Sequence, residues 1–316
     1  MNALQIQNPV AVVDAQTLGV ELAQEWLGGL TTKRASRDTY ARALADFYRF
    51  LNMRGITATT ATRLDVADYL QNYLQGKSDA TRALRCQTVG AFYAWLHAEK
   101  GLYNPALGFK VKTQKLGFKK EFLTQSQSRE LIKSADGNTI QNKRDRALFA
   151  LMLTTGARVG EIQNADVGDL VTLAGQLVLK IKGKGHNEKD AFLKIPDCIA
   201  ELLTAYLDAR GVLPTDTAAP LFASHSNRTA GKRISHRAIS FLVKNALRGQ
   251  GIDSPLFTAH SLRHTAAVTA IESGASLAET QIFLRHTSPA ITMRYTHGIE
   301  ARKNQCAEKV ANAIFG

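Results

Sequence analysis

Apolar residues recur at helical spacing along most of the chain, and this periodicity is the strongest limit on its fold. Between residues 36 and 53, for example, Tyr40, Leu44 and Phe47 fall on one helix face, while the charged residues largely occupy others. The pattern is interrupted by only seven prolines in 316 residues, and it predicts a bundle of roughly four helices at the start of the chain. These helices cover about 15–29, 36–53, 64–75 and 79–99.

The helical pattern ends near Gly101, and Asn104-Pro105-Ala106 follows. The stretch that follows, FKVKTQKLGFKKEF, contains five lysines and no strong amphipathic period, which predicts an exposed basic linker at about 104–121. Solvation explains these lysines as well as contact with a phosphate backbone does, so both interpretations stay open. The predicted domains are an N-terminal helical domain at 1–103 and a second domain at 122–316.

The second domain is predicted to be helical around a small antiparallel sheet. Residues 177–181 and 191–195 have the composition of strands and flank the turn GKGHNEK. Residues 140–155 are apolar on most sides, which is typical of a central core helix. The expected fold class is therefore mainly α, with a small antiparallel β-sheet. The other predicted helices cover about 124–135, 197–209, 234–249, 258–273, 276–285, 289–296 and 300–314.

The chain is strongly basic, because 40 Lys plus Arg oppose 27 Asp plus Glu for a formal net charge of +13. Both halves are positive, which favours a polyanion partner over a surface tuned for solubility. Cys86, Cys198 and Cys306 are far apart, which argues against a disulfide framework or a zinc site. No signal sequence or long apolar run is visible, so we expect a cytoplasmic protein without membrane contact.

Four short clusters in the second half contain residue types that are suited to chemistry. TTGARVGEI places Glu161 three residues after Arg158, a spacing found most often in ordinary helix-surface pairs. GKGHNEK places Lys184 between two glycines, as hairpin turns commonly do. Each of these two features has a purely structural explanation when it is considered alone.

The third cluster, AHSLRHT, contains two histidines. His260 and Arg263 share one helix face, where they either address one phosphate or are simply solvated. His260 and His264 also have the i, i+4 spacing of a zinc pair. The zinc-protease motif, however, needs glutamate where this chain has Ser261, so we expect no metal site.

The fourth cluster, LRHTSPAITMRYTH, places Tyr295 nine residues after His286. A tyrosine near a helix end is usually a packing residue. Together, however, the clusters run Arg, Lys, His-x-x-Arg, His, Tyr, with 26 residues from Arg158 to Lys184 and 23 from Arg263 to His286. In this order and spacing the sequence resembles the tyrosine recombinases over nearly its whole length. Within that family it is most similar to the compact Xer-type and phage or transposon integrases.

The resemblance implies a helical core-binding domain and a mixed α/β catalytic domain that form a C-shaped clamp on DNA. Asn104-Pro105-Ala106 matches the motif that precedes the linker in this family. The implied activity is site-specific recombination, in which Tyr295 attacks a phosphodiester to form a 3′-phosphotyrosyl intermediate. Strands would be exchanged through a Holliday junction and rejoined without ATP, metal ion or other cofactor.

The resemblance also implies how the phosphate is bound. Arg158 and Arg263 would hold its non-bridging oxygens with their forked donors, and His286 would add a further donor. Glu161 would orient the guanidinium of Arg158.

Proton transfer is assigned by the same resemblance. His260 would accept the tyrosine proton, and Lys184 would protonate the departing 5′ oxygen, with Lys182 as the alternative lysine. One departure from the family concerns Arg285, which precedes His286 where the family commonly has glycine. This substitution puts the local backbone geometry in question.

The expected partner is double-stranded DNA with paired inverted half-sites, bound by a homotetramer of a chain that is monomeric in solution. Val310, Ile314 and Phe315 gather apolar surface near the C-terminus. Either this tail packs on its own domain or, as the resemblance favours, it passes to a neighbouring protomer.

Three alternatives have less support in the sequence. A type IB topoisomerase would share the chemistry, but the short core-binding half and the recombinase-like motifs argue against it. A catalytically silent DNA-binding relative should have lost at least one catalytic position, and all are present. A metal-dependent nuclease would need a cluster of carboxylates to hold its ion, and the sequence has none.

Overall fold

The structure, a computed structural model, describes residues 15–112, 121–183, 188–289, 292, 293, 295 and 305–315. Across these ranges it is mainly helical with a three-stranded antiparallel sheet, which confirms the predicted fold class. The chain divides into two compact units, Met1–Leu116 and Gly117–Gly316. None of the described helices is long and apolar enough to cross a membrane.

The first unit is built from helices and a π-helical turn. Its elements are α1 (Ala15–Gly29), α2 (Arg34–Asn52), α3 (Arg63–Asp68), the π-helical turn Tyr69–Tyr73 and α4 (Asp79–Lys100). A capping box between Thr62 and Asp65 begins α3, and the left-handed Gly101 ends α4. The helix predicted over 64–75 is therefore present, but it changes from α to π geometry at Tyr69.

Aromatic side chains fill the core of the first unit. The ring of Phe47 meets those of Tyr69 and Tyr93 edge to face, with centroids 4.9 and 6.0 Å apart. The buried Tyr93 hydroxyl donates to the Ala58 carbonyl at 2.9 Å, so its polar end is satisfied. Burial of each such ring contributes about 1.5–3 kcal/mol, which stabilises helices that would be marginal in isolation.

The second unit surrounds the central helix α6 (Ile140–Thr155). Buried side chains cover most of this helix, among them Leu148, Phe149 and Met152, as the sequence predicted. The other elements are α5 (Gln125–Lys133), α7 (Val159–Gln163), a 3-10 turn (Val167–Asp169), β1 (Leu170–Leu173), β2 (Gln176–Ile181), β3 (Ala191–Lys194), α8 (Asp197–Arg210), α9 (His236–Gly249), α10 (Ala259–Glu272), α11 (Leu277–Leu284) and α12 (Cys306–Phe315).

The sheet has the order β1–β2–β3, and both pairs are antiparallel. The buried Leu179 lies opposite Leu170 on one side and Leu193 on the other. β1 was not predicted from the sequence. It is short, half of it is exposed, and it joins β2 through the tight left-handed turn Ala174–Gly175. Lys184 follows β2 and lies outside the described residues.

The helix α10 departs from the usual division between an apolar core and a polar surface. Every residue in Ala259–Val268 except His260 is buried, including Arg263 and His264. Arginine is almost never fully buried unless it is paired, and buried polar groups are normally hydrogen-bonded. The partners of these side chains therefore define a candidate site.

Candidate active site

Arg263 lies at the centre of the candidate site. Its guanidinium donates to the carbonyl oxygen of Gly156 at 2.5 Å and to that of Leu284, and only 2% of the residue is exposed. Gly156 is the left-handed C-cap of α6, and Leu284 is the last residue of α11. The last carbonyls of a helix lack intrahelical partners and have partial negative charge. One buried cation therefore joins the carboxyl ends of two helices.

Arg158 immediately precedes α7 and is paired with Glu161. The Arg158 backbone N–H donates to Glu161 Oε2 at 2.8 Å, and its guanidinium donates to Glu161 Oε1 at 2.6 Å. The Glu161 side chain is 5% exposed, whereas that of Arg158 is 27% exposed. The carboxylate therefore holds the arginine from the protein side and leaves part of the guanidinium accessible from solvent.

Tyr295 contacts the histidines of α10. Its hydroxyl is hydrogen-bonded to His264 Nδ1 at 2.8 Å, and the tyrosine itself is buried. The ring of His260 meets that of His264 edge-on, with centroids 4.6 Å apart, and His260 is exposed. The rings of Tyr295, His264 and His260 therefore form a row of contacts from the buried hydroxyl to the exposed His260.

The ring of His286 stands parallel to that of Tyr295, with centroids 6.3 Å apart. His286 Nδ1 is hydrogen-bonded to Thr292 Oγ1 at 2.8 Å, and Gln281 Nε2 donates to the His286 carbonyl at 3.2 Å. The position of His286 is therefore set by α11 on one side and by Thr292, close to the tyrosine, on the other.

Arg285 contributes a guanidinium that the sequence did not assign to the site. It is the C-cap of α11 and adopts the left-handed conformation, with a φ of 54°. Its guanidinium donates to Glu161 Oε2 at 3.0 Å and to the Phe283 carbonyl at 2.8 Å. The departure from glycine at this position thus retains a glycine-like backbone and places an extra cation beside Glu161.

Positive charge exceeds negative charge in the site. Among the described residues, the guanidiniums of Arg158, Arg263 and Arg285 gather around the carboxylate of Glu161. Burial, followed by repulsion from the other two arginines, lowers the pKa of Arg263 to about 9. Guanidiniums arranged in this way are complementary to an oxyanion such as phosphate.

Two histidines of the site, His264 and His286, have lowered pKa values. Burial, followed by the neighbouring His260 and Arg263, lowers the pKa of His264 to about 3. Burial, followed by the nearby arginines, lowers the pKa of His286 to about 4. A neutral imidazole has one donor and one acceptor nitrogen, so His264 is able to accept a hydrogen bond from Tyr295.

The structure brings together the residues singled out in the sequence, with the exception of Lys184, which lies outside the described residues. His264 and Arg285 are the members that the sequence did not assign. The position of His264, one helical turn after His260, was a usable signal for a shared face. Arg285 offered no periodic signal. The residues brought together are Arg158, Glu161, His260, Arg263, His286 and Tyr295.

Family models and a curated relative identify the chain. The phage integrase family model matches residues 121–302, and the model of the phage integrase N-terminal SAM-like domain matches residues 23–100. Tyrosine recombinase XerC of Actinobacillus pleuropneumoniae is 31% identical over 272 residues, which cover 84% of this chain and 85% of the relative. The chain therefore belongs to the phage integrase family, and it is a tyrosine recombinase that carries out site-specific DNA recombination.

Solved structures share the fold. The XerH site-specific recombinase bound to palindromic difH substrate, in a post-cleavage complex, has a TM-score of 0.69 at 18% identity, covering 92% of this chain and 84% of that chain. A lambda integrase tetramer bound to a Holliday junction has a TM-score of 0.66 at 18% identity, covering 88% and 76%. The family and activity predicted from the sequence are confirmed, and the type IB topoisomerase alternative is not favoured.

The depressed histidine pKa values predict that stability falls as the pH falls from 7 to 5. The folded state keeps His264 and His286 neutral, and the pKa of His225 is also lowered. The unfolded chain protonates these groups below about pH 6.5, so it binds more protons and is favoured. The buried His264 alone should contribute up to about 1.4 kcal/mol per pH unit.

Urea denaturation at pH 7, 6 and 5 measures this dependence. His264→Gln, which keeps a polar group near Tyr295, should reduce the slope of unfolding free energy against pH. His236→Gln is the control, because His236 is exposed and lies outside the site. Equal slopes for wild type and His264→Gln would contradict a neutral, buried His264.

Proposed function

We propose that Tyr295 is the nucleophile of the recombination reaction. The observation that supports this most directly is the hydrogen bond between its hydroxyl and His264, within a site of excess positive charge. Attack on a DNA phosphodiester forms a bond between the phenolic oxygen and phosphorus and breaks the bond to the 5′ oxygen. The products are a 3′-phosphotyrosyl link and a free 5′ hydroxyl.

Arg158, Arg263 and His286 bind the non-bridging oxygens of the scissile phosphate. Negative charge accumulates on these oxygens during attack, and donors that are already in position stabilise it without reorganisation. Arg158 is the more accessible guanidinium, while Arg263 is held by two helix carbonyls. Glu161 maintains the orientation of Arg158 through its two hydrogen bonds.

The tyrosine proton leaves through the histidines of α10. In the resting site the Tyr295 hydroxyl donates to neutral His264, which is a weak base because its pKa is about 3. Bound phosphate offsets the positive charge that contributes to this low pKa, and so makes His264 more basic when the substrate arrives. His260, the acceptor implied by the family resemblance, contacts the His264 ring and passes the proton to solvent.

Lys184 protonates the departing 5′ oxygen, as general acids do in phosphoryl transfer. It follows β2 by three residues in the sequence. The cationic and donor groups around the phosphate replace a divalent metal ion, so the reaction needs no cofactor. The phosphotyrosyl link retains the energy of the phosphodiester. Strands are therefore exchanged through a Holliday junction and rejoined without ATP.

The DNA substrate carries paired inverted half-sites, on which four copies of the chain assemble from monomers. The fold shared with the lambda integrase tetramer on a Holliday junction supports this assembly. A second support is α12, where Val310, Ile314 and Phe315 are 56%, 66% and 87% exposed. Apolar side chains exposed to this extent are available to a neighbouring protomer, and transfer of α12 around the ring would connect the four copies.

Both domains take part in DNA binding, with the domains at 1–103 and 122–316 joined by the basic linker at 104–121. The net charge of +13 supports this proposal, because both halves of the chain share the excess. The match of the N-terminal SAM-like domain model to residues 23–100 also supports the first boundary.

Tyr295→Phe should abolish covalent capture of DNA and leave DNA affinity nearly unchanged, because the variant loses only the attacking oxygen. A suicide substrate, nicked close to the cleavage site, traps the covalent adduct on a denaturing gel. Tyr103→Phe is the control, since it removes the hydroxyl of an exposed tyrosine outside the site. An adduct that persists in Tyr295→Phe would assign the nucleophile to another residue.

Deletion of residues 306–316 should preserve binding to one half-site, weaken cooperative filling of the second, and block recombination. The reason is that α12 is proposed to connect protomers, and its described side chains are exposed. Gel shifts on half-sites and full sites measure this, with Leu213→Ser as a control that removes an exposed apolar side chain elsewhere. Undiminished cooperativity and recombination by the truncated chain would show that α12 acts within its own protomer.

A further inference from the structure

Arg285 combines two unfavourable features in one residue. Its φ of 54° lies in the left-handed region, which is unfavourable for an L-residue other than glycine. Among the described residues, Ala174 is the other non-glycine residue with a positive φ. The Arg285 side chain is only 16% exposed, so its charge is also largely removed from water. Strain and burial that persist together point to a role in the site.

The contacts of Arg285 link it to Arg158 and Glu161. Its guanidinium donates to Glu161 Oε2 at 3.0 Å, while Arg158 donates to Glu161 Oε1 at 2.6 Å. In addition, the Arg158 guanidinium donates to the backbone carbonyl of Arg285 at 3.3 Å. Side chain and backbone of one residue therefore contact both members of the Arg158–Glu161 pair.

These contacts limit the number of Glu161 carboxylate oxygens that bind the Arg158 guanidinium. A carboxylate with both oxygens available binds a guanidinium bidentately. Here Oε2 is already occupied by Arg285 and by the Arg158 backbone N–H, so the Arg158 side chain contacts Oε1 alone. The Arg158 guanidinium also donates to the Arg285 carbonyl, and its remaining N–H groups are left for a phosphate. Arg285 also adds a positive charge to the site, which contributes to the lowered pKa values of Arg263 and His286.

We propose that Arg285 is a positioning residue for the phosphate site. Its guanidinium binds one carboxylate oxygen of Glu161, and this contact leaves Arg158 directed at the scissile phosphate. This inference rests on the proposed function of Arg158 and Tyr295. This role of Arg285 differs from simple support of the fold, because Arg285 acts on Arg158 through the Glu161 carboxylate. A change at Arg285 should therefore alter the cleavage rate more than DNA affinity, and its effect should depend on the carboxylate.

Arg285→Gly is the informative variant, because glycine accepts the left-handed backbone, so the side chain is removed without new backbone strain. We expect cleavage of the suicide substrate under single-turnover conditions to slow by about tenfold or more, with DNA affinity within about threefold of wild type. Arg285→Lys, which keeps the positive charge but lacks the planar set of guanidinium N–H donors, should recover part of the rate. Ala174→Gly is the matched control, since it removes the strain in the β1–β2 turn and should leave cleavage unchanged.

Two further readouts separate positioning from structural support. In a Glu161→Gln background, Arg285→Gly should have little additional effect on the rate, because the two residues act through one contact. His286 faces the charges of Arg263, Arg158, Arg285 and His260. Loss of the Arg285 charge should therefore raise the pKa of His286 and move the acidic limb of the pH–rate profile to higher pH.

The results that overturn the inference are distinct from those that overturn the proposed function. If wild type forms no adduct through Tyr295, the proposed function fails. If wild type forms the adduct and Arg285→Gly cleaves at the same rate, only the inference fails. The inference also fails if Arg285→Gly loses rate, affinity and thermal stability together, with no recovery in Arg285→Lys and an additive loss in Glu161→Gln.

Discussion

The guanidinium of Arg263 joins the carboxyl ends of α6 and α11, and the rest of the site is arranged around that contact. It donates to Gly156 and Leu284, the residues at which the two helices finish. A side chain at position 156 would conflict with this approach, because a Cβ there would lie 2.8 Å from Leu284 Cδ2. Arg158 follows the first helix end and Arg285 follows the second. The buried Arg263 side chain therefore fixes the positions at which the segments containing Arg158 and Arg285 begin.

The electrostatics of the site follow from this arrangement. Arginines near one another repel, and this repulsion adds to burial in lowering the pKa of Arg263 to about 9. It also helps to keep His286 neutral. A phosphate bound beside these arginines would relieve their repulsion, and the stabilisation would be greatest when the substrate becomes more negative. This is the condition for selective stabilisation of a transition state in phosphoryl transfer.

Helical periodicity and local spacing predicted much of the fold and part of the site. The pairing of Arg158 with Glu161 follows from their separation of three residues, and the shared face of His260 and His264 follows from one helical turn. The hydrogen bond between the Tyr295 hydroxyl and His264 was not predictable, because it joins residues 31 positions apart. β1 was missed because it is short and depends on pairing with β2.

Arg285 shows the limit of sequence reasoning more clearly. An arginine before the site histidine signals only an additional charge, and nothing local indicates that its backbone turns left-handed or that its side chain is buried against Glu161. Both properties arise at the end of α11, where the Arg285 guanidinium contacts Glu161 and the carbonyl of Gly156. Contacts between helix ends that are distant in sequence decide such details.

The central claim is that Arg263 both organises the helix ends and binds the scissile phosphate. The single-turnover rate of suicide-substrate cleavage by Arg263→Lys, measured at saturating DNA and compared with DNA affinity, tests it most directly. Lysine keeps the positive charge, but its single ammonium group cannot donate to two separate carbonyls and a phosphate as the guanidinium does. The account predicts a loss of about a hundredfold to a thousandfold in rate, equivalent to ~2.7–4 kcal/mol of lost oxyanion stabilisation, with affinity changed only a few-fold. A variant that cleaved at the wild-type rate, or lost affinity as much as rate, would contradict it.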